Sequence, residues 1–347
     1  MRVSEMTARG EDVFTSVAAT LALLWPDHEV RPGAHERSQI WWLHPTLSLC
    51  SHTPGPVARR HLRHAQRWSP HRGRMIPQLL LSRAMASRIG LRCLRQAAFS
   101  VWPPRADAAD LLVMPSNQRV RVLDFANGRT QVIAKAGLPS DSIQRELELR
   151  SGNGPWLPAT RLGERAFEEV LLQGWPLPRK PPWRRAQRSV EAAIDRVEAW
   201  QGRDAKPTSA AAWAEELVGR LRAGLPAVLA ARVPLRDLAS AAATLGEIEV
   251  SSTHGDLQPG NLFVQHDGEV VVIDWERAAL RWRPYDRWVW EHSARWGGRP
   301  PGTAIRGEAA LFWLEELCFF LDEANTFPGD VATSSLKARA EVVCTAW

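Results

Sequence analysis

Between Ser252 and Glu276 the chain carries His254, Asp256, Asn261 and Asp274, a grouping of side chains suited to phosphoryl chemistry. A hydroxyl that attacks a phosphoryl group needs its proton accepted and its position fixed, and a carboxylate on a rigid loop supplies both. Asp256 suits that role. Magnesium prefers hard oxygen ligands and keeps several of its waters, so one carboxylate and one amide oxygen, completed by nucleotide phosphates, make a site. Asn261 and Asp274 form that pair.

The elements around these residues must hold them in place. Val250–Thr253 reads as a short extended run, and the following His-Gly-Asp-Leu-Gln-Pro-Gly-Asn is a loop, because Gly and Pro placed so closely exclude a helix. Leu262–Gln265 and Val270–Ile273 are two apolar strands joined through His266-Asp267-Gly268-Glu269, and Asp-Gly between apolar runs is a hairpin signal. The hairpin returns Asp274 beside Asn261.

The run from His254 to Asn261, followed by Ile273-Asp274-Trp275-Glu276, resembles the aminoglycoside phosphotransferase and choline kinase families, small-molecule relatives of the protein kinases. The resemblance implies Asp256 as catalytic base, Asn261 and Asp274 as magnesium ligands, and His254 as a residue that fixes the loop. It also implies an α+β, bilobal protein kinase-like fold: a small antiparallel N-lobe sheet with one helix, then a mainly helical C-lobe.

Upstream, Leu111–Met114, Arg119–Phe125 and Thr130–Lys135 read as three strands, with Pro115-Ser116-Asn117-Gln118 and Asn127-Gly128 as turns. In the second of them Val120 and Val122 alternate with charged neighbours. A helix follows from Ser140 or Asp141 to about Ser151. In the kinase-like fold a lysine closing the third strand holds the α- and β-phosphates, and a carboxylate on the helix fixes its ammonium. The resemblance therefore implies Lys135 and Glu146, with Glu148 as the fallback partner. A glycine-rich phosphate loop is missing. In its place stand Ser116 and Asn117, whose backbone amides would cap the nucleotide, as in aminoglycoside phosphotransferase-like enzymes. Ala166–Gln173 is a further strand, and Glu168–Leu177 resembles the segment linking the two lobes.

The rest reads as mainly helical, over Arg184–Gln201, Thr208–Ala223, Leu235–Leu245 and Ala309–Leu321. Pro284-Tyr285-Asp286 resembles a family segment whose aspartate braces the catalytic loop. The indole run Trp275, Trp282, Trp288, Trp290 and Trp296, with Phe312, Trp313, Phe319 and Phe320 beside Glu315, Glu316, Asp322 and Glu323, reads either as core or as an acidic aromatic cleft for a cationic or sugar-like acceptor.

At 347 residues the chain is long enough for two or three units. Its 45% apolar and 24% charged residues are those of an ordinary globular protein. Four cysteines, Cys50, Cys93, Cys318 and Cys344, show no metal spacing and suit a reducing compartment. Val17–Trp25 is too short to cross a bilayer, and the acidic Glu11-Asp12 precedes it, so a cytoplasmic location is expected.

The formal charge of +6 is concentrated at the front: residues 1–105 hold 15 Arg against 6 acidic residues, and none is acidic from Arg37 to Ala106. Within that stretch Met75–Leu94 suits a basic amphipathic helix that either packs on its own lobe or touches an anionic membrane surface. A nucleic-acid partner is not expected.

The sequence thus divides into a basic N-terminal extension over 1–106, an N-lobe over 107–175 and a C-lobe over 176–347. It implies a kinase that uses ATP and Mg2+ to phosphorylate a hydroxyl of a small molecule, a sugar, glycoside or amino alcohol. The alternative is a kinase-like binding or scaffold protein with weak catalysis.

Overall fold

The structure is a computed structural model that describes residues 13–44, 49–64, 97–116, 118–177, 186–292, 306–326 and 330–347. Met75–Leu94, Cys93 and Asn117 lie outside the described residues. In chain order the elements begin with α1 (Val13–Leu24), β1 (Glu29–Pro32), β2 (Gln39–His44), β3 (Leu49–Ser51), α2 (Pro56–His64) and β4 (Ala97–Trp102). They continue with β5 (Leu111–Pro115), β6 (Arg119–Asp124), β7 (Arg129–Ala134), α3 (Asp141–Arg150), β8 (Ala159–Arg161), β9 (Ala166–Val170) and β10 (Gly174–Pro176). After these come α4 (Gln187–Gln201), β11 (Lys206–Ser209), α5 (Ala210–Gly224), α6 (Ala227–Ala230), α7 (Leu235–Ala243) and β12 (Glu247–Thr253). The last are β13 (Leu262–Gln265), β14 (Val270–Val272), β15 (Ala279–Trp282), α8 (Tyr285–His292), α9 (Arg306–Thr326) and α10 (Asp330–Ala346). The α+β class is the one the sequence implies, with an antiparallel sheet unit and a mainly helical unit.

The first unit comprises Met1–Ala193 with Pro259–Glu276, the second Ile194–Gln258 with Arg277–Trp347. In the first, nine strands among the described residues form one sheet in the order β1-β4-β2-β3-β5-β6-β7-β9-β8. The β5–β6–β7 meander follows from its turns. Asp124 Oδ1 accepts the amides of Ala126 and Asn127, both at 3.0 Å, and Gly128 takes the left-handed φ of +66° that the turn requires.

Alternation gives β6 two different faces. Val120 and Val122 join Ile133 and Val113 under α1, in a core that also holds Trp41 and Phe99 from β2 and β4. Leu123 packs on the other face with Leu112, Leu171 and the α2 residues Ala58 and Leu62, while Val132, Ala134 and Phe167 meet Ile143 and Leu147 of α3.

The boundary expected at residue 106 is therefore not a break. β1–β4 continue the sheet, and α1 and α2 cover its two faces. A buried side chain such as Trp41 or Phe99 contributes about 1.5–3 kcal/mol, which ties this front segment to the core.

His44, also in the front segment, is buried and paired through Nε2 with Ser51 Oγ at 2.8 Å. Burial lowers its pKa to about 4 from the ordinary 6.5. The folded state thus favours neutral His44, and its contribution, complete above pH 6.5, is lost as pH falls toward 4. Wild type should lose roughly 1.4 kcal/mol per pH unit over that window relative to His44→Gln. Urea unfolding of both at pH 7.5 and pH 5 reads the difference, and parallel acid limbs would refute it.

In the second unit β12 pairs with β11 and β15, and α5, α7, α9 and α10 pack around Leu217, Leu238, Phe312, Leu314 and Val343. Ser209 caps α5 by accepting the Ala212 amide at 3.4 Å. Trp282, Trp288, Phe312, Trp313, Phe319 and Phe320 belong to this core. For these six residues core packing is the reading observed, while Trp296 lies outside the described residues. Glu315 accepts Trp213 Nε1 at 2.8 Å and the Trp282 amide at 3.2 Å, and Glu316 accepts the Tyr285 hydroxyl at 2.7 Å. These two acids serve the interior.

Candidate active site

The sheet unit contains a cavity of about 270 Å3. Its apolar wall includes Met114, Leu123, Leu171, Leu172, Phe263 and Val272; its polar lining includes Arg121, Glu146, Glu169, Asn261 and Asp274. The volume is near the lower limit for small-molecule pockets, about 300 Å3, and the mixture of an apolar slot with a few charged groups is characteristic of them.

The β13–β14 hairpin positions two of these groups. Leu262 lies opposite Val272, and the Ile273 amide donates to Asn261 O at 2.9 Å, so residues before and after the hairpin come together. Gly268 takes a φ of +89° in the connecting turn. Asp274 itself has a φ of +69°, a left-handed conformation that costs a non-glycine residue roughly 1–3 kcal/mol and often marks a functional position. The carboxylate and carboxamide oxygens are hard donors, so the pair fits magnesium chemically.

Glu146, from α3, also lines the cavity, but its partners differ from those expected. One carboxylate oxygen accepts from Arg119 Nη1 and the other from Arg150 Nη1 at 2.9 Å. The partner expected from the sequence was Lys135; among the described residues two arginines hold the carboxylate. Arg119 faces Ala134 across the β6–β7 ladder on the side facing α3, where it also donates to Ser142 O at 3.1 Å and lies 3.2 Å from Glu276.

Lys135 follows β7, its amide donating to Gln118 O at 2.8 Å. Its side chain is buried. The arginines lining the cavity are Arg121 and Arg150.

Arg121 Nη2 donates to Asp274 Oδ1 at 2.8 Å, and Arg150 also donates to Glu169 at 2.6 Å. Burial opposes the charge of Arg121, but the carboxylates of Asp274, Glu276, Glu169 and Glu146 outweigh it, so its pKa rises above the ordinary arginine value. Burial raises the Glu169 carboxyl pKa, and Arg150 works against that rise. Ser116 closes the turn before β6, with its amide 2.8 Å and its hydroxyl 3.0 Å from Arg119 O. Its partner in the expected phosphate loop, Asn117, is outside the described residues.

Sequence reasoning missed Arg119 and Arg121. The signal was their spacing of two beside Val120 and Val122, a pattern that ordinarily marks a solvated sheet face.

The loop bearing Asp256 belongs to the helical unit and is held from below. Asp286, fully buried, accepts the His254 amide at 2.6 Å, the Gly255 amide at 2.8 Å and Gln201 Nε2 at 2.6 Å. This is the brace the resemblance implied. Burial raises the Asp286 pKa, against the opposing pull of His254 and the backbone amides.

The Asp256 amide donates to His254 Nδ1 at 3.2 Å, which leaves that nitrogen as the acceptor. Gln258 Nε2 donates to Asp256 Oδ2 at 2.9 Å. Gly255 has a φ of +81°, and a Cβ there would collide with Arg277 O and the Arg281 guanidinium, so the turn requires glycine. Asp256 itself is only partly buried.

Residues 132–314, more than half of the chain, match the family described as the phosphotransferase enzyme family. No curated protein matches the chain. Among solved structures, the choline kinase LicA from Streptococcus pneumoniae is 13% identical, with 68% of this chain and 94% of that one covered and a TM-score of 0.45. The macrolide 2'-phosphotransferase MphH from Brachybacterium faecium is 16% identical, with 67% and 89% covered and a TM-score of 0.41. A choline/ethanolamine kinase family protein from Mesorhizobium loti is 12% identical, with 78% and 94% covered and a TM-score of 0.45.

Proposed function

Because the chain belongs to the phosphotransferase enzyme family, we propose that it is a small-molecule kinase that moves the γ-phosphoryl group of ATP to a hydroxyl of a sugar, glycoside or amino alcohol. The observation that carries this reading is one cavity whose lining combines apolar side chains with Asn261 and Asp274.

In the proposed reaction the acceptor hydroxyl gives its proton to Asp256 as its oxygen bonds to the γ-phosphorus and the bond to the β-phosphate oxygen breaks. Gln258 and the Asp256 amide contact to His254 hold the carboxylate's place on the loop. Asn261 and Asp274 would hold magnesium, which when bound neutralises charge on the phosphate oxygens. The Leu171–Leu172 segment would border the base. The free thiols of Cys50, Cys318 and Cys344 suit a cytoplasmic setting. Among the described residues no helix is long and apolar enough to cross a membrane.

One observation favours the alternative reading, a kinase-like binding protein: Arg121 is paired with the proposed metal ligand Asp274. A melting experiment separates the two. ATP or ADP with magnesium should stabilise the fold by about 2.7 kcal/mol at 100 times its Kd, and a screen of sugars, aminoglycosides, choline and ethanolamine should yield a phosphorylated product. No shift with any nucleotide at millimolar concentration would favour the binding protein.

A further inference from the structure

We propose that the cation for the phosphate chain of the bound nucleotide is Arg121, while Arg119 takes over the strand-to-helix ion pair, so that β6 supplies both functions that the sequence assigned to Lys135. The inference rests on the nucleotide reading above and identifies the group that recognises the phosphates.

Arg119 and Arg121 share one face of β6 but differ in what surrounds them. The Arg119 side chain is fully buried and spans Glu146, Ser142 O and Glu276. That is a structural tie between strand and helix. The Arg121 side chain is 24% exposed and lines the cavity together with Asn261 and Asp274. Among the described residues its one hydrogen bond runs to Asp274 Oδ1.

A guanidinium carries five N–H donors in a planar fork that matches phosphate oxygens two at a time, so most of the donor capacity of Arg121 is available to a ligand. Arg150, the other arginine of the cavity, is spent on Glu146, Glu169 and Leu157 O. The charges around Arg121 support the same assignment, because Glu146 and Glu169 already have arginine partners and Asp274 is the carboxylate that holds it in place.

The test compares the dissociation constants of ATP, ADP and adenosine, measured by calorimetry in EDTA, for wild type, Arg121→Gln, Arg121→Lys and Lys135→Met. Arg121→Gln should weaken ATP and ADP at least tenfold and leave adenosine within twofold, and Arg121→Lys should recover part of the loss. Should the glutamine variant fail to fold by circular dichroism, Arg121→Lys carries the test, since losing the two-pronged geometry should still weaken ATP about threefold relative to adenosine. An ATP-to-adenosine ratio unchanged in the folded Arg121 variants, or a loss that follows Lys135→Met instead, overturns the proposal and leaves the nucleotide reading standing. Wild type that binds neither nucleotide nor nucleoside overturns both.

Discussion

Asp256→Asn should lower turnover by about 10²–10⁴-fold while nucleotide binding stays near wild type. The exchange is nearly isosteric, and the contacts that shape the loop run through the backbone and through Asp286, so the fold survives. What the carboxamide lacks is the ability to accept the hydroxyl proton. The loss should appear in kcat with little change in the KM for ATP, because the carboxylate is assigned to the acceptor and not to the nucleotide. Steady-state rates with any acceptor from the screen, alongside ATP titrations by calorimetry, read both quantities. Equal product from both proteins would remove Asp256 from the chemistry.

How far such a site is legible in a sequence depends on whether its signals are local. The stretch from His254 to Asp274 was legible because each step has a short-range cause: Gly and Pro forbid a helix, and Asp-Gly turns a hairpin that returns Asp274 to Asn261. The meander of β5 to β7 and the helix α3 were legible for the same reason. β1–β4 were not. Their pairings, Gln39 with Val101 or Glu29 with Trp102, join residues far apart in the chain, and no turn announces them. An Arg-rich front end with no acid for almost seventy residues reads as an appendage, yet its strands extend the sheet and its two helices cover it.

The charged residues on β6 are the more instructive omission. Alternation of apolar and charged residues has one periodicity whether the charged face meets water or a buried ionic network, and only the partners decide. Here the partners come from distant elements: Glu146 from α3, Asp274 and Glu276 from beyond β14. Lysine at the end of β7 offered a familiar local pattern, whereas the ladder register and the reach of Arg119 bring a second cation to Glu146 from the neighbouring strand. Such a network confers a defined arrangement more than net stability, since the cost of desolvating the charges offsets much of their attraction, and removing one partner leaves a buried charge at a cost of about 3–5 kcal/mol.

Asp286→Ala should destabilise the helical unit by about 3–5 kcal/mol, as much as truncating a large core side chain. Its carboxylate accepts three donors, the His254 and Gly255 amides and Gln201 Nε2, at a fully buried position, so the alanine variant strands all three without water to replace them. Asp286→Asn keeps one acceptor oxygen but turns an NH2 group toward donors, and should fall between wild type and alanine. The shift in the urea midpoint at constant slope reads these costs. A shift equivalent to less than about 1 kcal/mol for the alanine variant would mean that the loop is held from elsewhere. The loop consequence is separable from the global one. Below the melting range, Asp286→Ala should also lose turnover, because Gly255, with its left-handed φ of +81°, is then no longer pinned and Asp256 loses its fixed position. Since both residues act through the same carboxylate, the double variant Asp256→Asn, Asp286→Ala should be no slower than Asp256→Asn alone. Losses that multiply in the double variant would show that Asp286 supports the reaction by a route other than placing Asp256.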